Sequence, residues 1–547
     1  MKVALAQLNY IIGDFDGNAR KIVHSIEKAK TQGADLIVFS ELSVTGYYPH
    51  DLLEKKEFVL KAEKTVLKVA EVCSGIAAVV GAPQINEKNK GKALYNAAYF
   101  LAEGRIQSVH KKTLLPTYDV FDEYRHFEPN SDFQIVQYKG KRIAITICED
   151  LWDEQPTSNE FGRKNIYRLA PMEQFLKLEP DLVVNISASP FSYNQENWRK
   201  EVLIAKAKKY NVPIVYVNQT GAQTELIFDG GSVFINNHGE IIRELMYFKE
   251  DFQVVDIDDP GGVKIQPKSE TIRKIYDALV LGIRDYFVKM KFKKAILGLS
   301  GGIDSAVVLA LAVDALGNDN VRVLLLPSKY SSTHSIVDAR KLAENLKVQY
   351  DMLPIQAVVD QNESALRDIF KDTTPDIAEE NIQARTRGTL LMAVSNKFGN
   401  ILLNTTNKSE CAVGYGTLYG DMNGGLAVLA DVYKTDVYRL AHFINRDKEI
   451  IPVNSIVKPP SAELRPDQKD SDSLPEYELL DELLFSFIEQ NLTPEEIISK
   501  GFEASMVHHV VKMVNINEYK RFQAPPVLRV SSKAFGFGRK IPLVAKF

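Results

Sequence analysis

The chain has 547 residues, 45% of them apolar, with 67 basic against 71 acidic side chains and a formal net charge of −4. That length implies several domains with sizeable cores and excludes a disordered chain, and the balanced charge, with no long block of one sign, excludes nucleic-acid binding over a broad basic face. Cys73, Cys148 and Cys411 are too few and too scattered for a disulfide framework or a metal cluster. No apolar run approaches the roughly 20 residues of a membrane helix, and "MKVALAQLNY" reads straight into a strand with no targeting segment. A cytoplasmic enzyme with neither nucleic-acid nor membrane partners is expected.

In the first half, short β-rich runs ("VALAQL", "DLIVFS", "IAAVVGA", "RIAITIC", "DLVVNIS" and "PIVYVNQ") alternate with amphipathic stretches, the pattern of a layered α/β domain. Two hairpin-like segments, "NAAYFLAEGRIQSVHK" and "GGSVFINNHGEIIREL", each turn at a glycine, so mixed sheets are predicted. At "DIDDPGGVK" a proline and two glycines interrupt every period. The expected organisation is a first domain over 1–258, a linker over 259–268 and a second domain over 269–547.

Cys148 ends the run "RIAITI" and is followed at once by Glu149 and Asp150, so its sulfur is expected to emerge at a sheet edge. A lone cysteine is commonly a small hydrophobe, but Glu41 also follows an apolar run and Lys112 precedes "TLLPTYDVFDE". A carboxylate to take a thiol proton, a cation to hold oxyanion charge and a thiolate to form a thioester with a carboxamide are the types that amide hydrolysis needs. Lys111 is a rival for the cation. Glu41, Lys112 and Cys148 in this order resemble the nitrilase triad, which implies an α-β-β-α sandwich. That family has its lysine four residues before the proline of "LPTY", which favours Lys112.

Beyond the break, Ile272, Ile275, Tyr276, Leu279, Ile283, Tyr286 and Phe287 recur at helical spacing, with Ser269 as N-cap. "AILGLS", a helix from Asp304, "VRVLLLP", a helix through "DARKLAENL" and "QYDMLPI" follow. Strand alternating with helix predicts a doubly wound parallel sheet. The turn "LGLSGGIDSAVV" is the first βα connection of that sheet. Gly301 and Gly302 allow the backbone to curl around an anion, Ser300 and Ser305 add hydroxyl donors, and the helix mouth adds free N–H groups. The spacing lacks the lysine of a γ-phosphate loop. A cradle for a pyrophosphate leaving group fits better, with Asp304 available to Mg2+.

"SGGIDSA" resembles the signature of the ATP-pyrophosphatases, and "NIQARTRGTLLMAVSN", "NTTNKSECAVGYGTLYGDMNGGLAVLADVYKTDVY" and "INEYKRFQAPP" resemble the synthetase domain of glutamine-dependent NAD synthetases. The resemblance implies a Rossmann-like second domain that adenylates deamido-NAD with ATP and amidates it with ammonia taken from L-glutamine and passed along a sheltered route. It implies ATP contacts from Gly298, Leu299, Ser300, Gly301, Gly302, Ile303, Asp304, Ser305, Thr405, Lys434 and Ser461, and a Mg2+ site at Asp304 and Glu410. Deamido-NAD falls to Asn381 and Arg385, one helical turn apart and so on one face, and to Lys520. Tyr118 and Ser189 match glutamine-gripping positions. Gln195 stands where the family often has a basic residue, and Arg199 is the candidate to compensate. Glu123 and Glu128 are candidates to assist hydrolysis, and "RPDQKDSDSLPEY" is a candidate lid over ATP. Homo-oligomeric assembly is likewise implied. The rival readings are an amidotransferase with another carboxylate acceptor and a nucleotide-binding protein with a vestigial amidase block.

Overall fold

A computed structural model describes residues 1–88, 90–154, 166–193 and 195–545, without the side chains of Gln195 and Glu196. The chain forms two compact units, Met1–Lys268 and Ser269–Phe547.

In chain order the first unit comprises β1 (Lys2–Gln7), α1 (Phe15–Thr31), β2 (Leu36–Val38), α2 (Lys56–Glu71), β3 (Ala77–Ile85), β4 (Leu94–Ala102), β5 (Arg105–Lys111), β6 (Val136–Tyr138), β7 (Lys141–Ile147), α3 (Pro171–Leu176), β8 (Leu182–Ser187), α4 (Gln195–Tyr210), β9 (Ile214–Asn218), β10 (Thr220–Gln223), β11 (Leu226–Asp229), β12 (Val233–Ile235), β13 (Ile241–Glu244) and β14 (Asp251–Asp256). Two six-stranded sheets result, ordered β14-β1-β2-β3-β4-β5 and β13-β12-β9-β8-β7-β6. Each is parallel at its centre and antiparallel at its edges. The predicted hairpins are β4–β5 and β12–β13, turning at Gly104 and Gly239, both at positive φ.

Side-chain alternation along the strands builds the layers. Val3, Leu5, Val38, Val79 and Phe100 of the first sheet meet Ile145, Val184, Val217 and Phe234 of the second. The opposite face of the first sheet, with Ala4, Ile37 and Val80, packs on Ile22 and Ile26 of α1 and Val66 and Val69 of α2. The opposite face of the second, with Ala144, Val183 and Ile214, packs on Leu203 and Ala207 of α4. The unit is therefore an α-β-β-α sandwich.

The second unit begins with α5 (Thr271–Met290), β15 (Lys294–Gly298), α6 (Ile303–Leu316), β16 (Val321–Leu325), α7 (Thr333–Asn345), β17 (Gln349–Met352), α8 (Gln356–Leu366), α9 (Ile377–Phe398), β18 (Asn400–Asn404), α10 (Lys408–Val413), β19 (Leu426–Ala427) and α11 (Lys434–Ile444). Further helices lie between Val453 and Arg521. All pairings in the sheet β17-β16-β15-β18-β19 are parallel. The chain winds outward from β15 on one side and then returns to β18 on the other. This reversal opens a crevice at the carboxyl ends of β15 and β18, the ligand position in sheets of this type. Ser269 does not cap α5: the residue before the helix is Glu270, and no side chain bonds the first turn. The buried face of α5, including Ile275, Leu279, Ile283 and Phe287, holds the helix in place without a side-chain cap.

Candidate active sites

Three strands of the first unit deliver the reactive side chains just beyond their carboxyl ends: Glu41 after β2, Lys112 after β5 and Cys148 after β7. The Lys112 ammonium donates to Glu41 Oε1 at 2.7 Å and to Glu123 Oε1 at 2.8 Å. Asn96 Nδ2 donates to Glu41 Oε1 at 2.7 Å, and the Ala188 N–H donates to Glu41 Oε2 at 3.0 Å. Tyr47 OH donates to Glu123 Oε1 at 2.7 Å. All three charged side chains are excluded from solvent. Removing such ions from water costs several kcal/mol each, and two carboxylates around one ammonium, each with further donors, offset part of that cost.

Cys148 corrects one expectation. It is 5% exposed and packs with the apolar residues between the sheets. It follows an inner strand of its sheet, flanked by β6 and β8, rather than an edge strand. Its φ of +41° is a left-handed conformation, uncommon for any residue with a Cβ and often found at functional sites. Asp150, two residues on, accepts from the N–H groups of Ile147, Thr113 and Leu114 at 3.0, 2.9 and 2.9 Å. One carboxylate therefore ties the cysteine turn to the lysine segment.

Burial pushes the Cys148 thiol well above its usual pKa, and the Glu41 charge adds to this against the pull of Lys112. Burial also pushes the Glu41 carboxyl up to about 7, with Lys112 opposing and Glu123 adding. Burial disfavours the Lys112 ammonium, but Glu123 and Glu41 outweigh it and hold its pKa well above the usual value. The resting thiol is thus neutral, beside a carboxylate basic enough to take its proton. A base acts when ionised, so amide hydrolysis should rise with pH through the Glu41 value of about 7. The expected profile of kcat/KM for glutamate release falls about tenfold per pH unit on the acid side. A flat profile from about pH 5.5 to 7 would remove Glu41 as the base.

The remaining first-unit candidates separate clearly. Tyr118 OH and Tyr167 OH both donate to Glu149 Oε1 at 2.8 Å, and burial raises this carboxyl to about 7. Asn218 fixes the backbone of Ser189 through bonds to its N–H at 2.8 Å and its carbonyl at 3.1 Å. The Gln195 side chain lies outside the described residues. Arg199 is already paired within the unit. Its guanidinium forms a buried two-pronged pair with Asp229 at 3.0 and 2.7 Å, because a charge on that inward helix face requires a partner. Lys111 stacks over the Tyr95 ring at 4.1 Å, away from the carboxylates. Glu128 accepts from the Lys92 N–H at 2.7 Å, whereas Glu123 joins the cluster.

In the second unit a cavity of about 320 Å³ opens at the crevice. It is lined by Gly298, Leu299, Ser300, Gly302, Ile303, Asp304, Ser305, Thr405, Glu410, Lys434 and Ser461. Ser300 Oγ and Ser305 Oγ stand 3.1 Å apart, and Gly302 N–H donates to Ser300 Oγ at 3.1 Å. Gly301 is not in the lining. Its φ is +81°, and a Cβ there would stand 2.1 Å from the Ser335 carbonyl oxygen, so its part is to let the turn pass α7. Ser461 Oγ donates to the Gln468 carbonyl at 2.5 Å, holding its own loop. The candidate lid supplies Asp470, a buried lining residue that accepts from Tyr415 OH at 3.2 Å and Tyr477 OH at 2.9 Å.

The Lys434 ammonium lies 2.5 Å from Asp304 Oδ2 and 3.5 Å from Glu410 Oε1. Asn407 Nδ2 donates to Asp304 Oδ1 at 2.9 Å. Burial, reinforced by Asp304, raises the Glu410 carboxyl to about 8. Two acids forced together in a buried site favour a cation between them, and oxygen donors suit Mg2+, so the residues present fit that ion.

Asn381 and Arg385 share a face of α9, as their spacing requires. Thr417 Oγ1 donates to Asn381 Oδ1 at 2.6 Å, Arg385 Nε donates to the Leu418 carbonyl at 3.2 Å, and Lys520 Nζ donates to the Gly414 and Gly416 carbonyls at 2.7 and 2.9 Å. The three converge on the 414–418 loop, whose Tyr415 lines the cavity, and are not themselves in the lining. Several site residues escaped the sequence reading. Asn96, Asp150, Asn407, Arg387 and Lys458 are among them, the last two lining the cavity. Asn96 left a trace: it is a polar side chain within the wholly buried strand β4.

Comparison with known proteins gives a carbon-nitrogen hydrolase family match over residues 2–261 and an NAD synthase family match over residues 275–524. The chain is 45% identical over 554 residues to the glutamine-dependent NAD(+) synthetase of Synechocystis, covering 100% of this chain and 99% of the relative. It is 40% identical over 586 residues to that of Thermotoga maritima, covering 100% and 99%. The solved glutamine-dependent NAD+ synthetase of Acinetobacter baumannii, in complex with adenosine diphosphate, is 39% identical with a TM-score of 0.78, covering 99% of this chain and 98% of that one.

Proposed function

The chain belongs to the glutamine-dependent NAD(+) synthetase family, and on that premise we propose that its two sites divide the conversion of deamido-NAD, ATP and glutamine into NAD, AMP, pyrophosphate and glutamate. The observation that carries this reading is that both sets of reactive side chains are complete, each assembled within its own unit.

In the first unit Glu41 takes the Cys148 proton and the thiolate adds to the carboxamide carbon of glutamine. Lys112, held between Glu41 and Glu123, stabilises the oxyanion. Collapse of the adduct returns the proton to the nitrogen, ammonia leaves, and water then cleaves the thioester to glutamate. Tyr118, Ser189 and Gln195 belong to the glutamine grip in this reading, with Glu149 orienting Tyr118.

In the second unit the Ser300–Ser305 turn receives the phosphates of ATP, with Thr405, Lys434 and Ser461 around them. The nicotinate carboxylate attacks the α-phosphorus, pyrophosphate departs, and ammonia displaces AMP from the acyl adenylate. Mg2+ held by Asp304 and Glu410 would neutralise charge on the departing pyrophosphate. Lys434 adds a fixed positive charge at the same point. Asn381, Arg385 and Lys520, which also brace the 414–418 loop, carry the deamido-NAD contacts in this reading. A sheltered route for ammonia is part of the reading, since water destroys the mixed anhydride and protonated ammonia does not attack it. Homo-oligomeric assembly, a cytoplasmic setting and the absence of nucleic-acid or membrane partners complete it, supported by the family resemblance.

One incubation tests the whole. Wild-type protein with deamido-NAD, ATP, Mg2+ and glutamine should form NAD, glutamate, AMP and pyrophosphate in equal amounts, with little free ammonia. Consumption of ATP only with some other carboxylate would replace the acceptor. Stoichiometric ammonia in the medium would end the sheltered route.

A further inference from the structure

His126 is the residue that the amidase cluster does not absorb. It follows the short turn Glu123–Arg125, and its side chain is 5% exposed. Its Nε2 is buried and has no hydrogen-bond partner. That atom faces the turn His50–Glu54, 3.4 Å from Asp51 Oδ1 and 3.7 Å from Glu54 Oε1, and the three ligand atoms lie within 4.8 Å of one another.

The other ring nitrogen is held by Tyr48. Nδ1 and Tyr48 OH are 2.7 Å apart, and the Tyr48 hydroxyl donates its proton to the Asp122 carbonyl at 3.3 Å. A hydroxyl has one proton, so while it goes to Asp122 the hydroxyl accepts from Nδ1–H, and in that tautomer Nε2 is open to a cation. A metal-binding histidine needs the same arrangement, its second N–H held by a neighbour. A ring nitrogen facing two carboxylates at 3.4 and 3.7 Å calls for a positive charge among them. The two spacings from Nε2, 3.4 and 3.7 Å, are close to those around a bound metal ion: ligands at about 2.0–2.2 Å around a tetrahedral ion stand roughly 3.3–3.6 Å apart.

We propose that Asp51, Glu54 and His126 form a binding site for a first-row divalent metal of the Zn2+ type, distinct from the Mg2+ pair in the second unit, with its fourth position left to water. One imidazole and two carboxylates is a donor set such ions accept. The present rival is Arg125, whose Nη2 lies 3.0 Å from Asp51 Oδ1 and 3.8 Å from Glu54 Oε1. Its side chain is half-exposed and can swing away, and exposed pairs of this kind hold weakly. An ion here would fasten the turn that carries Asp51 and Glu54 to the segment that carries Glu123.

The test uses full-length protein freed of metal by a chelator and titrated with Zn2+ alone and with Co2+ alone, the latter read by its visible spectrum. The expected result is one tightly bound Zn2+ per chain at this site and tetrahedral-type Co2+ bands that Zn2+ abolishes. Asp51→Asn and Glu54→Gln replace exposed side chains and should each weaken binding at least about tenfold, and His126→Gln should remove the Co2+ bands. Unchanged ammonium-driven synthesis verifies that the variants are folded. Wild type without this Zn2+ would mean that a proton or Arg125 is the only cation there and would overturn the proposal. Equal binding by wild type and by Asp51→Asn and Glu54→Gln would overturn it as well.

Discussion

Cys148→Ala loses glutamine-driven NAD formation by about 10⁴-fold or more, while synthesis from ammonium salts stays within a few-fold of wild type. The loss is large because no other described thiol can take over: Cys73 and Cys411 are buried elsewhere, and burial raises each to about 12. The synthesis half is spared because its cavity is lined wholly by residues of the second unit. The alanine leaves Lys112, Glu41 and Glu123 bonded to one another, so the ion cluster persists. Initial rates with each nitrogen source, read as NAD formed, check both arms. Persistence of the glutamine-driven rate would remove Cys148 as the nucleophile.

Asp304→Asn has the complementary signature. Both nitrogen sources should lose roughly 10³-fold in NAD formation, because the pair that would hold Mg2+ where pyrophosphate departs loses one of its two carboxylates. Glutamine hydrolysis in the first unit should keep its basal rate. The substitution is close to isosteric and retains an oxygen for Asn407 Nδ2, but it leaves Lys434 with only Glu410, at 3.5 Å, of its two carboxylate partners. Pyrophosphate release and ammonium-driven NAD formation are the measurements. If the ammonium-driven rate stayed within tenfold of wild type, Asp304 would have no part in the transfer.

Much of this was legible before any coordinates. The strand runs that end at Glu41, Cys148 and the Ser300–Ser305 turn could be read from apolar patterning, and in parallel sheets such ends are where ligands gather. What could not be read was set by contacts distant in sequence. Arg199 looked like a spare cation until Asp229, on another strand, claimed it. Cys148 was expected at an edge because the sequence gives no strand order, and β6 and β8 enclose it. Glu123 and Glu128 were equivalent as letters, and only Glu123 reaches Lys112. Asp150 is visible as an acid beside a cysteine, but its three backbone donors come from two separate segments.

The lysine bracketed by two carboxylates also bears on the energetics of turnover. When Glu41 removes the thiol proton, one anion disappears as another forms, so the sum of charge inside this dry pocket stays constant. No ion has to be imported from bulk water at the start of the cycle, and none has to be expelled at its end. The solvation penalty is met once, during folding, and is not repeated with each molecule of glutamine.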